Sequence, residues 1–98
     1  MKTITTVEVQ EKLAAGEKLN LIDVREVEEV EADKIPGITH IPLGLLEFRM
    51  NELDKKVPYI MVCRSGGRSG QATAFLEQQG FDVANMNGGM LNWTGEVE

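Results

Sequence analysis

Two apolar rhythms alternate along this chain. Leu19 to Val24, Ile38 to Ile41, Tyr59 to Val62 and Phe81 to Asn85 are short β-favouring runs bounded by glycine, proline or polar residues, which is the pattern of buried strands. Between them the apolar residues space out to helical intervals. Thr5 or Thr6 with Glu8 offers a capping signal, Val9 and Leu13 share one helical face, and Gly16 is a natural stop. Glu26 to Ala32 is helical in its charge pattern, with Val27 and Val30 expected to turn inward before the Pro36-Gly37 turn. Leu46, Met50 and Leu53 predict a helix that ends before Pro58. Ala72, Phe75 and Leu76 predict another over 69–79, capped by Ser69 and stopped by Gly80, and Gly88-Gly89 opens a short helical turn through Trp93. Strands alternating with helices imply an α/β fold, a parallel sheet covered on both faces whose ligands bind beyond the carboxyl ends of the strands. No repeat, linker or low-complexity stretch interrupts residues 1–98, so one domain is expected, with only the polar tail from Thr94 to Glu98 fraying.

Composition narrows the setting. With 98 residues and 42% hydrophobic content there is material for one core and not for two domains of ordinary size. The longest uninterrupted apolar run, Tyr59 to Cys63, is far too short to span a bilayer, and Met1 to Thr6 lacks the extended apolar segment of a secretory signal. No membrane partner is expected. A single cysteine makes no internal disulfide, which agrees with a reducing compartment and a cytoplasmic location. Sixteen acidic against ten basic residues leave a formal net charge of −6 and no basic run beyond Lys55-Lys56, a balance that repels nucleic-acid backbones. Glu26, Glu28, Glu29, Glu31 and Asp33 read most simply as a solvated helix face, with a docking surface for a basic partner as the alternative.

Against that background one loop stands out. Cys63-Arg64-Ser65-Gly66-Gly67-Arg68-Ser69 begins at the carboxyl end of the Tyr59–Val62 run and closes at a predicted helix start. Successive N–H groups of such a loop point inward and the helix N-terminus adds partial positive charge, so a thiolate held there is stabilised. The same donors, with the guanidinium groups of Arg64 and Arg68, suit an anionic substrate or charge developing on it. An inert core cysteine is the alternative reading, and the polar residues that follow Cys63 argue against it. His40 is the only histidine; with no second histidine and no cysteine pair a metal site is not expected, and a hydrogen-bonded structural role is preferred. Gly88-Gly89 and Trp93 read as architectural, the glycines permitting a tight backbone approach and the indole covering the edge of the core.

Four segments in order carry a resemblance that spans nearly the whole chain: Leu21-Ile22-Asp23-Val24-Arg25-Glu26, Ile35-Pro36-Gly37-Ile38-Thr39-His40-Ile41-Pro42, the Cys63 loop, and Gly88-Gly89-Met90-Leu91-Asn92-Trp93. The chain resembles the rhodanese family of sulfurtransferases. It departs from the family at Asp33-Lys34-Ile35, where Gly-His-Ile is common; the difference bears on the local turn and leaves the cysteine chemistry untouched. The resemblance implies a rhodanese-like fold with a central, mostly parallel sheet of about five strands flanked by helices on both faces. It also implies a thiosulfate sulfurtransferase, in which Cys63 carries a sulfane sulfur as a persulfide from thiosulfate or a similar small anion to cyanide or a thiol. Arg64, Ser65, Gly66, Gly67, Arg68 and Ser69 would bind the substrate, with holding the loop closed as the alternative role of Arg68. Asp23 and Arg25 look like the family's structural Asp-x-Arg, and Leu45, Leu46, Phe48 and Arg49 fall in a segment near the active-site mouth, where Arg49 is a candidate for meeting the anion and the apolar residues are expected to pack in the core. No metal or organic cofactor is implied. A persulfide-relay protein serving sulfur-relay partner proteins is the alternative. Phosphatases of the same architecture, the cell-division-cycle dual-specificity type, have one residue more between cysteine and arginine than Arg64, Ser65, Gly66 and Gly67 provide here. That extra residue makes room for a tetrahedral phosphate. An arsenate reductase is opposed by the lack of a second cysteine to resolve a disulfide.

Overall fold

The computed structural model describes all residues, 1–98. Strands β1 (Lys2–Thr5), β2 (Leu21–Asp23), β3 (Thr39–His40), β4 (Tyr59–Val62) and β5 (Val83–Asn87) alternate with helices α1 (Thr6–Ala14), α2 (Val27–Ala32), α3 (Leu46–Arg49) and α4 (Gly67–Gln78). The strands form one sheet in the order β1-β5-β4-β2-β3, and every pairing is parallel. β4, which leads to Cys63, is the central strand. None of the helices is long and apolar enough to cross a membrane.

Side chains alternate across the sheet and divide the core in two. Ile22, Val24, Met61, Cys63 and Val83 face one way and pack against Ala72 and Leu76 of α4 and Leu46 of α3. Leu21, Val62 and Met86 face the other way and meet Val9 of α1 together with Ile35. Both faces are therefore covered, as the continuous apolar runs of the inner strands require.

Four strands fall on runs legible as such; the fifth, β1, does not. It is an edge strand paired only with β5, from Lys2 beside Ala84 to Thr5 beside Asn87, and only Ile4 among its residues is even partly buried. Thr5 ends β1 and also caps α1: its hydroxyl accepts the Glu8 N–H at 3.1 Å while its own N–H donates to the Glu8 carboxylate at 3.0 Å. Of the two threonines proposed for the cap, Thr5 is the one used.

Other expectations need correction. Val27 is 49% exposed, because α2 runs along the surface with none of its residues buried. The predicted helix through Leu46, Met50 and Leu53 is broken into a 3₁₀ turn (Leu43–Leu45), one turn of α-helix and a second 3₁₀ turn (Met50–Glu52). Leu46 is buried, but Leu45 is half exposed and Phe48 almost fully so, contrary to the core packing expected of them. The last strand begins at Val83 and runs on to Asn87, two residues beyond its expected end. The carboxyl tail does not fray: Lys34 and Glu98 exchange backbone hydrogen bonds of 3.2 and 2.9 Å, and Trp93 Nε1 donates to Glu96 O at 3.0 Å.

At the carboxyl end of β2 a buried ion pair ties three segments together. Arg25 Nε lies 3.0 Å from Asp23 Oδ1 and Nη2 lies 2.9 Å from Oδ2, with both residues almost wholly buried. Its Nη2 also donates to Asp33 O at 2.7 Å, so the residue that departs from the family pattern closes α2 onto the arginine. His40 Nε2 lies 2.7 Å from Arg25 O; a carbonyl only accepts, so Nε2 carries the proton. Burial opposes the charge on Arg25, yet the hydrogen bonds and charge of Asp23, then Asp33, outweigh it and hold its pKa above the ordinary value. Asp23→Ala leaves that guanidinium buried and unpaired and is expected to cost about 3–5 kcal/mol of stability. Asp33→Ala, at the half-exposed side of the cluster, is expected to cost about 0–1 kcal/mol. Urea unfolding followed by circular dichroism measures both; similar losses would overturn this ranking.

Candidate active site

β4 delivers Cys63 to the carboxyl edge of the sheet, and the chain turns at once. Gly66 adopts φ +105°, a left-handed conformation open to glycine, and α4 begins at the next residue. The cap, Gly66, is thus three residues earlier than the Ser69 cap predicted from sequence. Ser69 falls in the first turn instead, wholly buried, with its hydroxyl 3.2 Å from Cys63 Sγ. The Gly66 N–H donates to the same sulfur at 3.0 Å. Cys63 is 1% exposed, and burial pushes its pKa up. The Ser69 hydroxyl and the N–H groups of Ser69, Gly66 and Ser65 more than offset that, holding the thiol below its ordinary value.

A 3₁₀ turn over Gly89–Asn92 supports the loop from outside. Met90 N–H donates to Cys63 O and Leu91 N–H to Arg64 O, each at 2.9 Å. The approach is so close that a Cβ on Gly89 would lie 2.5 Å from Arg64 O and 2.6 Å from Cys63 O, and Gly89 itself has φ +57°. Only glycine allows this contact.

The two loop arginines are not equivalent. Arg68 makes a two-pronged ion pair with Glu29 of α2, Nη1 to Oε1 at 2.7 Å and Nη2 to Oε2 at 2.8 Å. Glu29 is therefore no simple member of a solvated face. The Arg68 hydrogen bonds, aided by the Glu26 backbone and opposed by burial, bring its pKa down to about 2. Arg64 is exposed and makes no ion pair, while its backbone carbonyl is held by Leu91. Arg49 is already engaged, with Nε 3.0 Å and Nη2 3.1 Å from the Glu52 carboxylate and Nη1 3.4 Å from His40 O. Asp23 and Arg25 stand beside the site at the end of β2 and do not touch the sulfur.

One residue of the site escaped sequence reasoning. Asn85 lies on β5, 5% exposed, with Oδ1 2.5 Å from the Ser69 hydroxyl and Nδ2 3.1 Å from Gly66 O. Its signal was present: Val83 and Asn85 share one side of a strand whose other inward residues are apolar, so a polar side chain there calls for a partner. A surface cavity of about 600 Å³ lies elsewhere, lined by Gln10, Leu13, Ile35 and Trp93 among others and by no residue of the Cys63 loop.

The comparisons with known proteins agree with this fold. The model of a family described as the rhodanese-like domain matches residues 5–96. YtwF of Bacillus subtilis (strain 168), which carries a provisional sulfurtransferase name, is 45% identical over 98 residues, covering 100% of this chain and 95% of its own. YrkF of the same bacterium, provisionally named a sulfur carrier protein, is 46% identical over 90 residues, covering 91% of this chain and 49% of its own. The crystal structure of a protein from Staphylococcus saprophyticus superposes with a TM-score of 0.95 at 33% identity, covering 100% of this chain and 99% of that one.

The Glu29–Arg68 pair has a pH signature. Because the folded-state pKa of Glu29 is lowered from 4.5 to about 2, its contribution is present in full above 4.5 and is lost as pH falls toward 2. Thermal midpoints measured across that window should fall less steeply in Glu29→Gln than in the parent. Identical slopes in the two proteins would mean the pair adds nothing to stability.

Proposed function

The chain belongs to the rhodanese-like domain family, and within it we propose that this protein is a thiosulfate sulfurtransferase using Cys63 as the sulfur carrier. The observation that carries the reading is a buried sulfur whose ionised form is favoured by the Gly66 N–H and the Ser69 hydroxyl. The names of the relatives support sulfur transfer in general. Thiosulfate as donor and cyanide or a thiol as acceptor are the finer proposal.

The chemistry proceeds in two displacements. The Cys63 thiolate attacks the outer sulfur of thiosulfate; a bond forms between Sγ and that sulfur, and the sulfur–sulfur bond of thiosulfate breaks with its electron pair leaving on sulfite. The enzyme is left with a persulfide whose negative charge sits on the outer sulfur, within the loop of N–H groups. Cyanide or a thiolate then attacks the outer sulfur, and the electron pair of the persulfide bond returns to Sγ. The thiolate is regenerated, and no redox cofactor enters the balance. Arg64 guides the anionic donor. Arg68 holds the loop against α2 through Glu29, a role its two-pronged pair suits better than binding substrate.

A relay role, in which partner proteins load and unload the persulfide, is the second reading; the sulfur-carrier name of YrkF favours it. A thiol that must cycle between free and loaded forms needs reducing surroundings, which supports a cytoplasmic setting. Phosphate-ester hydrolysis is disfavoured because only Arg64, Ser65, Gly66 and Gly67 separate Cys63 from Arg68.

Incubation with thiosulfate should add the mass of one sulfur atom to the intact protein and release one sulfite per site. Cys63→Ser should do neither while retaining the parent's circular dichroism, since its hydroxyl forms no persulfide. Undiminished sulfite release by the serine variant would refute the assignment, whereas loading only from a protein persulfide donor would favour the relay. Arg64→Ala should raise KM for thiosulfate on the order of tenfold, the size of one charge-assisted contact, with a smaller change in kcat. Steady-state kinetics with cyanide as acceptor decide it, and an unchanged KM would remove Arg64 from substrate binding.

A further inference from the structure

The Ser69 hydroxyl stands between two acceptors and has one proton to give. Cys63 Sγ lies 3.2 Å away on one side and Asn85 Oδ1 lies 2.5 Å away on the other. The orientation of the Asn85 amide is settled by its other end. Nδ2 lies 3.1 Å from Gly66 O, a carbonyl that only accepts, so the nitrogen faces Gly66 and the oxygen faces Ser69. Oδ1 therefore only accepts from Ser69, and no other side chain donates to it.

We infer that Asn85 is a positioning residue for the reactive sulfur, competing with the Cys63 thiolate for the single proton of Ser69. While Cys63 is a thiol, its S–H donates to Ser69 Oγ and the Ser69 O–H donates to Asn85. When Cys63 ionises, the Ser69 O–H swings to the sulfur, and Asn85 Oδ1, almost fully buried, loses its donor. An unsatisfied buried acceptor is costly, so Asn85 limits how far the loop stabilises the thiolate. Loading reverses the exchange. Once Sγ carries a second sulfur its charge has moved to the outer atom, and the Ser69 proton is free to return to Asn85. The consequence for turnover rests on the sulfurtransferase reading: Asn85 keeps the free thiolate high in energy relative to the loaded form, and so keeps it nucleophilic.

The charged groups around the sulfur leave this exchange its own signature. On α4 the nearest is Arg68, which senses the charge of Cys63 and is neutralised by Glu29 of α2, with Glu26 acting on it more weakly. β2 presents Asp23 locked to Arg25. β5 and the Gly89–Asn92 turn carry no ionisable residue, and Arg64 of the loop is exposed. A change at Asn85 thus reaches the sulfur through Ser69 or through Gly66, and a double-mutant cycle separates the two routes.

The test is the pH dependence of Cys63 alkylation by iodoacetamide, which needs no sulfur transfer and so stands whether or not the proposed activity does. Asn85→Leu removes the competing acceptor while keeping the number and branching of side-chain heavy atoms, and Gly66 O retains the Gly70 N–H at 3.0 Å. Its alkylation inflection should fall by about one pH unit, the scale of one hydrogen bond to a charged group. Ser69→Ala should raise the inflection, and adding Asn85→Leu to Ser69→Ala should then shift it no further. Asn85→Ala carries the same expectations and is the variant read if circular dichroism shows the leucine protein unfolded. Equal shifts with and without the Ser69 hydroxyl would mean Asn85 acts only by holding Gly66, and no shift, or an upward one, in the presence of Ser69 would equally overturn the proposal. Sulfite release, assayed in parallel, reports separately on the sulfurtransferase reading: its absence from the parent protein alongside the expected alkylation shifts would sink that reading and leave the Asn85 inference intact.

Discussion

The pairing of a nearly buried Cys63 sulfur with hydrogen-bond donors that favour its ionised form is the constraint to which the rest of this structure answers. Removing an ion from water costs several kcal/mol unless donors replace the lost solvent. Here the donors are two neutral ones in direct reach, the Gly66 N–H at 3.0 Å and the Ser69 hydroxyl at 3.2 Å, backed by the amino end of α4. Neutral donors have an advantage over a contacting lysine or arginine. They stabilise the thiolate without forming an ion pair that an incoming anion would have to break.

Donors convert to stabilisation only when they are fixed before the charge appears, and the fold supplies that rigidity from three directions. β4 is the central strand, so Cys63 leaves the most constrained line of the sheet. The turn after β5 grips the carbonyls of Cys63 and Arg64 from outside, at a separation that excludes any side chain at Gly89. On the far side of the loop, Arg68 is moored to Glu29 of α2, and α2 in turn is closed onto the buried Asp23–Arg25 pair through Asp33. A surface helix with no buried residue of its own is thereby part of the support.

What sequence showed and what it hid divide along a physical line. Strand and helix order was legible because it depends on apolar periodicity, and the place of Cys63 at a strand's carboxyl end followed from it. β1 was hidden because an edge strand with one side exposed carries almost no apolar signal; its threonines, good β-formers, were the only trace. The start of α4 was misjudged because serine is a common cap, whereas Gly66 in a left-handed conformation lets the helix take in Gly67 and Arg68 and turns Ser69 inward. The role of Glu29 was missed because a charge run looks the same in sequence whether solvated or paired across space. Asn85 was passed over for a related reason: a polar residue inside a strand is interpretable only once its partners on other elements are known.

Pairing across space also alters the meaning of the chain's net charge. Of its four arginines, Arg25 is bound to Asp23 and Asp33, Arg49 to Glu52 and Arg68 to Glu29. Arg64 alone has no carboxylate partner. The protein therefore presents a net −6 surface to anything approaching from a distance, with one exposed, unpaired arginine in the loop that holds the sulfur. Large polyanions meet the whole field and are repelled. A small anion, screened from distant carboxylates beyond roughly 8–10 Å in physiological salt, meets chiefly the local charge of Arg64 and the inward N–H groups. On the proposed sulfurtransferase reading, discrimination by size would arise from the contrast between a local charge and an opposing global one, without a dedicated steric gate.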